Sequence, residues 1–299
     1  MQNDNIYIKN YLHLHLIVFI WGFTAVLGKL ISLDALDLVW YRMSFASLFI
    51  LGFLIVKKVK LKIDRKGIIR FSVAGLIIAA HWYTFYEAIK VSNISVTLTC
   101  LSTGAFFTSI LEPILHRRKI IWYEMFFGII TIFGLGIIFE VETQYQTGIY
   151  LAITSAFLSA LFSVLNGKFV KEYDSNVISF YELLIGVIGI SVFMFFTEGF
   201  TPAFFKISLE DLFWIFILSS ICTAYAFSAS VKIMKFLSPF TIMLTINLEP
   251  IYGIILALMI FGDSEHMNSL FYLGAAIILA TVLANGIVKN YKKRKLKLT

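Results

Sequence analysis

Long apolar stretches alternate with short polar gaps along the whole chain. The apolar runs lie near 12–31, 36–56, 69–89, 94–115, 121–140, 148–168, 177–197, 212–232, 238–261 and 270–289. Each falls within the roughly 17 to 25 residues that a helix needs to cross a bilayer core. The pattern therefore predicts an all-α integral membrane protein with ten transmembrane helices. The first run is not followed by a small-residue cleavage site, so it reads as a retained helix and not as a signal peptide.

Composition and charge sharpen this reading. Over 299 residues, 59% hydrophobic against 14% charged excludes a water-soluble fold of this size, and ten spans leave no length for a sizeable soluble domain. The net charge of +7 does not point to nucleic acid, because the basic residues are scattered through the gaps and gathered in one tail. Counted by alternate gaps, 21 of the 25 Lys and Arg fall on one side. Only Lys29, Arg42, Lys90 and Lys206 fall on the other. The positive-inside rule then predicts cytoplasmic N- and C-termini in a cell (inner or plasma) membrane. Cys100 and Cys222 sit in separate apolar runs without metal-ligand spacing, so no metal, cofactor or disulfide framework is indicated.

The halves are weakly self-similar. Gly28-Lys29 matches Gly167-Lys168, Lys90 matches Lys232, and Gly128 matches Gly274, at offsets of 139 to 146. Residues 1–145 and 146–299 thus read as two five-helix units, the second ending in a basic cytoplasmic tail. An odd number of crossings makes the second copy enter from the opposite side. The expected architecture is two inverted five-helix repeats, an arrangement common among alternating-access transporters.

Trp21-Gly22-Phe23-Thr24-Ala25, Leu248-Glu249-Pro250-Ile251 and the Gly-rich fifth and tenth runs resemble the ten-helix EamA type of the drug/metabolite transporter superfamily. The resemblance covers essentially the whole chain. It implies movement of small metabolites, often amino acids, through a central cavity lined mainly by helices one, three, four, six, eight and nine. One departure bears on the alignment: spacing sets Gly104-Ala105, and not Glu112-Pro113, opposite Glu249-Pro250.

Ionisable groups deep in a span cost about 2.5–3.5 kcal/mol each on insertion scales and therefore call for a function or a partner. Glu249, near the middle of its run beside Pro250 and Asn247, suits either a substrate ligand or a structural carboxyl at a proline break. His81, Tyr83 and Tyr86 occupy one polar aromatic segment, and with Trp21 they suggest a stacking surface, although ordinary packing competes for each. Thr24, Thr103, Ser163, Asn166 and Tyr225 complete the candidate cavity set; Ser155, Ser159 and Ser163 recur every four residues, as close helix packing would also require. Lys29, Arg42 and Glu87 near one mouth, and Lys168 and Glu182 near the other, are candidate gating pairs, with snorkelling as the plainer alternative.

The functional expectation is a non-enzymatic exporter or facilitator of amino acids or related amphipathic compounds, working by alternating access. Its partners would be a small-molecule substrate and lipid, with proton coupling open and either a monomer or a homodimer as the assembly. A multipass enzyme lacks its motifs here: the chain has no HExxH, GxSxG or P-loop. A channel would need a filter segment or charge ring, which is not found. Nucleosides, vitamins or amines stay open as alternative substrates.

Overall fold

The computed structural model describes residues 2–117 and 119–298, and the described residues contain no strand. The side chains of Arg118, Lys289 and residues 292–297 lie outside the described set, and with them most of the predicted basic tail. The order is α1 (Gln2–Leu30), α2 (Ala35–Val56), α3 (Arg65–Val91), α4 (Ile94–Leu101), α5 (Gly104–His116), α6 (Trp122–Val141), α7 (Gln146–Phe169) and α8 (Ser175–Phe196). Then come α9 (Leu209–Ile217), α10 (Ala226–Ile233), α11 (Pro239–Ile246), α12 (Glu249–Phe261) and α13 (Ser269–Leu298). Eight helical stretches are long and apolar enough to cross a membrane, and Met125–Glu140 and Ser269–Asn285 form two shorter apolar helices.

Polar residues in the gaps start several of these helices. Asp64 accepts from the Gly67 N–H, Asn93 from Val96, Asp174 from Asn176 and Val177, Ser208 from Asp211 and Ser238 from Thr241. Each supplies an acceptor to first-turn N–H groups that have no partner within the helix. Pro239, just inside α11, gives up an N–H that the helix could not have used.

Three spans depart from a plain α-helix. The span Ile94–His116 breaks at Ser102–Thr103, between α4 and α5, and Pro239–Glu265 breaks at Asn247–Leu248, between α11 and α12. Thr103 Oγ1 donates to the Cys100 carbonyl at the first break, so a backbone acceptor released there is satisfied locally. Between α9 and α10, residues Leu218–Tyr225 form a π-helical segment. Its i→i+5 bonding shifts which side chains share a face.

Helix pairs approach at small residues, as expected where lipid supplies no hydrophobic drive for association. A Cβ placed on Gly274 would lie 2.8 Å from the Gly134 carbonyl oxygen, which brings α13 onto α6. Gly22 does the same for α1 on α12: a Cβ there would sit 2.7 Å from Cβ of Tyr252.

Interactions between the gaps sort them into two ends. At one end Lys29 meets Glu265, Ser32 donates to Asp211, and Asn268 donates to Glu142. At the other, Arg70 pairs with Glu172 at 2.6 Å, Tyr173 donates to Asp64, and Tyr181 donates to the Leu61 carbonyl. The basic gaps at 57–70 and 168–171 therefore share this second end. There the hydrogen bonds from Tyr173 and from the Gly67 N–H hold the Asp64 carboxyl below its usual range, and the bond from Arg70 does the same for Glu172.

Candidate functional site

Both halves of the chain line a central cavity. Trp21 and Thr24 come from α1, Arg42 from α2, and His81, Trp82 and Phe85 from α3. The second half adds Ser159, Phe162 and Ser163 from α7, Phe227 and Ser230 from α10, and Glu249 at the first position of α12.

Arg42 is the most constrained of these groups. It is 2% exposed, its Nε donates to Thr223 Oγ1 at 2.8 Å, and its Nη1 donates to the Tyr86 hydroxyl at 2.6 Å. Its guanidinium carbon stands 3.9 Å from the Trp82 ring centroid. Every one of these partners is neutral, so the charge is oriented by hydrogen bonds and a π face without being cancelled. The π-helical segment supplies Thr223, and that hydroxyl also donates to the Leu218 carbonyl. Tyr86 has room because residue 28 is glycine, where a Cβ would collide with the Tyr86 ring.

Glu249 is the acidic counterpart. It is buried and lines the same cavity, yet among the described residues it forms neither an ion pair with Arg42 nor a hydrogen bond to protein. Its place at the start of α12 puts it where a helix's N-terminal dipole favours negative charge. The break before it is what brings that helix end into the interior. Trp21 is fixed by its Nε1 donating to the Cys222 carbonyl at 3.0 Å, and His81 Nδ1 is held by Ser155 at 2.8–2.9 Å from its hydroxyl and carbonyl oxygens. Thr24 also lines the cavity.

Five of the eleven sequence-predicted cavity residues are thus brought together: Trp21, Thr24, His81, Ser163 and Glu249. Tyr86 stands behind Arg42 as its support. Thr103 closes the break after α4, and Asn247 is buried at the break after α11. Asn166 is buried against Glu182 at 3.1 Å. Two residues point away. Tyr83 is 38% exposed, and Tyr225, at the end of the π-helical segment, is 44% exposed and bonded to His13 Nε2. Tyr225 lies two positions before the cavity-lining Phe227, a spacing that sets the two side chains on opposite sides of a helix.

The gating pairs are arranged differently from the sequence expectation. Lys29 pairs with Glu265 at 2.7 Å, not with Glu87, and Arg42 belongs to the cavity. Lys168 is exposed, while Glu182 is fully buried and bonded to Asn166, so these two do not pair. Glu265 accepts from the Ile94 and Ser95 N–H groups, and Glu112 accepts from the Phe240 N–H. The N-terminus of each broken span is therefore met by a carboxylate from the opposite half of the chain. The Glu112 side chain is buried at the α11 start. The aromatic wall of Trp82, Phe85, Phe162 and Phe227 was missed. Its signal was present in the spacing of Trp82 and Phe85 around His81, but with aromatics at 16% of the chain, abundance masked it.

Among the described residues no group of three or more His, Cys, Asp or Glu is gathered for a metal, and Cys100 and Cys222 are buried free thiols.

Known proteins match this arrangement. The profile of the EamA-like transporter family matches residues 9–140 and again 146–286. A protein named an uncharacterized transporter from Archaeoglobus fulgidus is 24% identical over 226 residues, covering 73% of this chain and 78% of its own. Another of that name, from Clostridium kluyveri, is 20% identical over 302 residues, covering 96% and 94%. A solved structure, described only as the crystal structure of a protein, superposes with a TM-score of 0.68 at 12% identity over 92% of this chain and 95% of its own. The chain is a multi-pass membrane transporter and belongs to the EamA-like transporter family.

Proposed function

We propose that this protein moves amino acids or closely related zwitterionic metabolites across a cell membrane by alternating access around the central cavity. The observation that carries the reading is the presence in one aromatic-walled space of Arg42, an oriented guanidinium, and Glu249, a carboxyl; among the described residues the first has no anionic partner and the second no hydrogen bond. A substrate carboxylate suits the forked donors of Arg42, an ammonium suits Glu249, and an apolar or aromatic side chain suits Trp82, Phe85 and Phe162. Free nucleosides and simple amines would leave Arg42 uncompensated. The match to the EamA-like transporter family, and relatives named as transporters, support transport as the function assigned.

The decisive measurement is a thermal-shift screen of purified protein against amino acids, nucleosides, vitamins and amines, followed by counterflow in proteoliposomes. A binder at 100 times its Kd should stabilise by about 2.7 kcal/mol. The expected outcome is stabilisation and counterflow with one or more amino acids. Stabilisation confined to nucleosides or amines would overturn the substrate class, and binding without counterflow would overturn transport.

The architecture proposed with this function is ten crossings, made of inverted five-helix units at 1–145 and 146–299 with both termini cytoplasmic. Support comes from the two matched segments of the family profile, the paired breaks at 102–103 and 247–248, and the gathering of basic gaps at one end. Single-cysteine labelling from outside should reach position 144 and leave position 62 unlabelled. The reverse pattern would invert the topology.

A further inference from the structure

Glu182 is a buried carboxyl that the cavity does not use. It lies on α8, is 0% exposed, and accepts from Nδ2 of the equally buried Asn166 on α7 at 3.1 Å. The second oxygen of each group, Glu182 Oε1 and Asn166 Oδ1, is buried without a partner. An ionised carboxylate brings only acceptors, while an amide brings donors on one atom and an acceptor on the other. Turning the amide over therefore cannot satisfy an ionised pair. A proton on Glu182 supplies the donor that is missing and also removes a buried charge.

Among the described residues no basic group is ion-paired with Glu182. Helices α2, α3 and α10 pack against α8. Arg42 of α2 is engaged by Thr223 and Tyr86, and on α3 Arg70 pairs with Glu172 and His81 is held by Ser155. Lys168 of α7 and Lys232 of α10 are exposed, and none of these five residues is ion-paired with Glu182. Ser179, one turn earlier on α8, does not bond to Glu182; its own hydroxyl has no partner.

We propose that Glu182 is a proton-carrying site: protonated in this conformation, with its O–H donated to Asn166 Oδ1, and ionised when the α7–α8 contact opens to water. On opening, the carboxyl O–H bond breaks, the proton passes to water and the carboxylate stays behind. Reclosing takes a proton back. The link to the cavity runs along α7, because Asn166 lies one helical turn beyond the cavity-lining Ser163. Movement of α7 around a substrate therefore acts on the partner of the proton. This site rests on the transporter reading given above, and it separates proton carriage from the substrate-facing Glu249.

Infrared difference spectroscopy of the protein in lipid nanodiscs at neutral pH tests the protonation state without any substrate. Wild type minus Glu182→Gln should show a deuterium-sensitive carboxylic-acid C=O band; loss of a carboxylate band instead would overturn the proposal. If Glu182→Gln melts early, Asn166→Leu carries the test: the acid band should move to higher frequency, and an unmoved band would overturn the assignment. In proteoliposomes with L-phenylalanine as probe, a one-unit pH gradient should drive about tenfold accumulation for one proton per substrate. Glu182→Gln should keep counterflow and lose that accumulation. Unchanged gradient dependence in the variant would overturn proton carriage, whereas absence of counterflow and binding for every amino acid in the wild type would overturn the substrate reading and leave the infrared result to judge the site.

Discussion

Arg42→Gln is expected to weaken binding of a carboxylate-bearing amino acid by one to two orders of magnitude while leaving the matching decarboxylated amine almost unaffected. Hydrogen bonds to a charged group contribute about 1.5–3 kcal/mol, and each 1.4 kcal/mol is tenfold in affinity. Arg42 uses Nε and Nη1 on Thr223 and Tyr86, and no hydrogen bond is made from Nη2 among the described residues. Glutamine removes the charge and the fork but keeps a donor for one neutral partner, so the fold should survive. Arg42→Lys should recover little, because a point charge on a flexible stem reproduces neither the bidentate geometry nor the stacking on Trp82. Isothermal titration with L-phenylalanine and phenethylamine on each variant, with ligand-free melting as the fold control, gives the comparison. Equal losses for both ligands would show that Arg42 shapes the cavity without reading the carboxylate.

Eight long apolar helices are legible in the sequence because a bilayer imposes a length and a continuity of apolar residues that no other setting demands. The run at 94–115 and the helices Ile94–Leu101 and Gly104–His116 cover nearly the same residues, but the break between them was not legible. Thr103 reads from sequence as a cavity hydroxyl, and only the packed structure shows that a helix start has been placed there. Tyr225 lies on the side of its helix away from Phe227, and a hydroxyl-rich run does not by itself say which of its sides meets the cavity. From sequence Arg42 reads as a gating residue near one mouth, and the structure sets it in the cavity. Its partners Tyr86 and Thr223 lie 44 and 181 residues away, and no local spacing announces them. The resemblance also placed the cavity on other helices, so the contribution of α2 had to come from the geometry. Glu249 was found because a carboxyl beside proline near the middle of an apolar run is costly unless it has a use.

Glu249→Gln and Glu112→Gln should separate function from fold, although both replace a buried glutamate followed by proline with its neutral isostere. Glu249 makes no hydrogen bond to protein among the described residues, so the change removes little that holds the helices together. It should leave melting almost unchanged while lowering affinity for an ammonium-bearing substrate about tenfold or more, the cost of exchanging a charge-assisted hydrogen bond for a neutral one. Glu112 instead receives the Phe240 N–H at 3.1 Å, at the start of α11. A glutamine carbonyl can still accept that bond, but it loses the charge that complements the helix N-terminus, an interaction typically worth 0.3–1 kcal/mol and up to about 2 in partly buried geometry. That variant should melt earlier and, per folded molecule, bind substrate normally. The two phenotypes are read on the same samples by melting in lipid nanodiscs and by titration with L-phenylalanine. Equal affinity losses at matched folded protein would remove Glu249 from the substrate site and return it to a structural role at the break before α12.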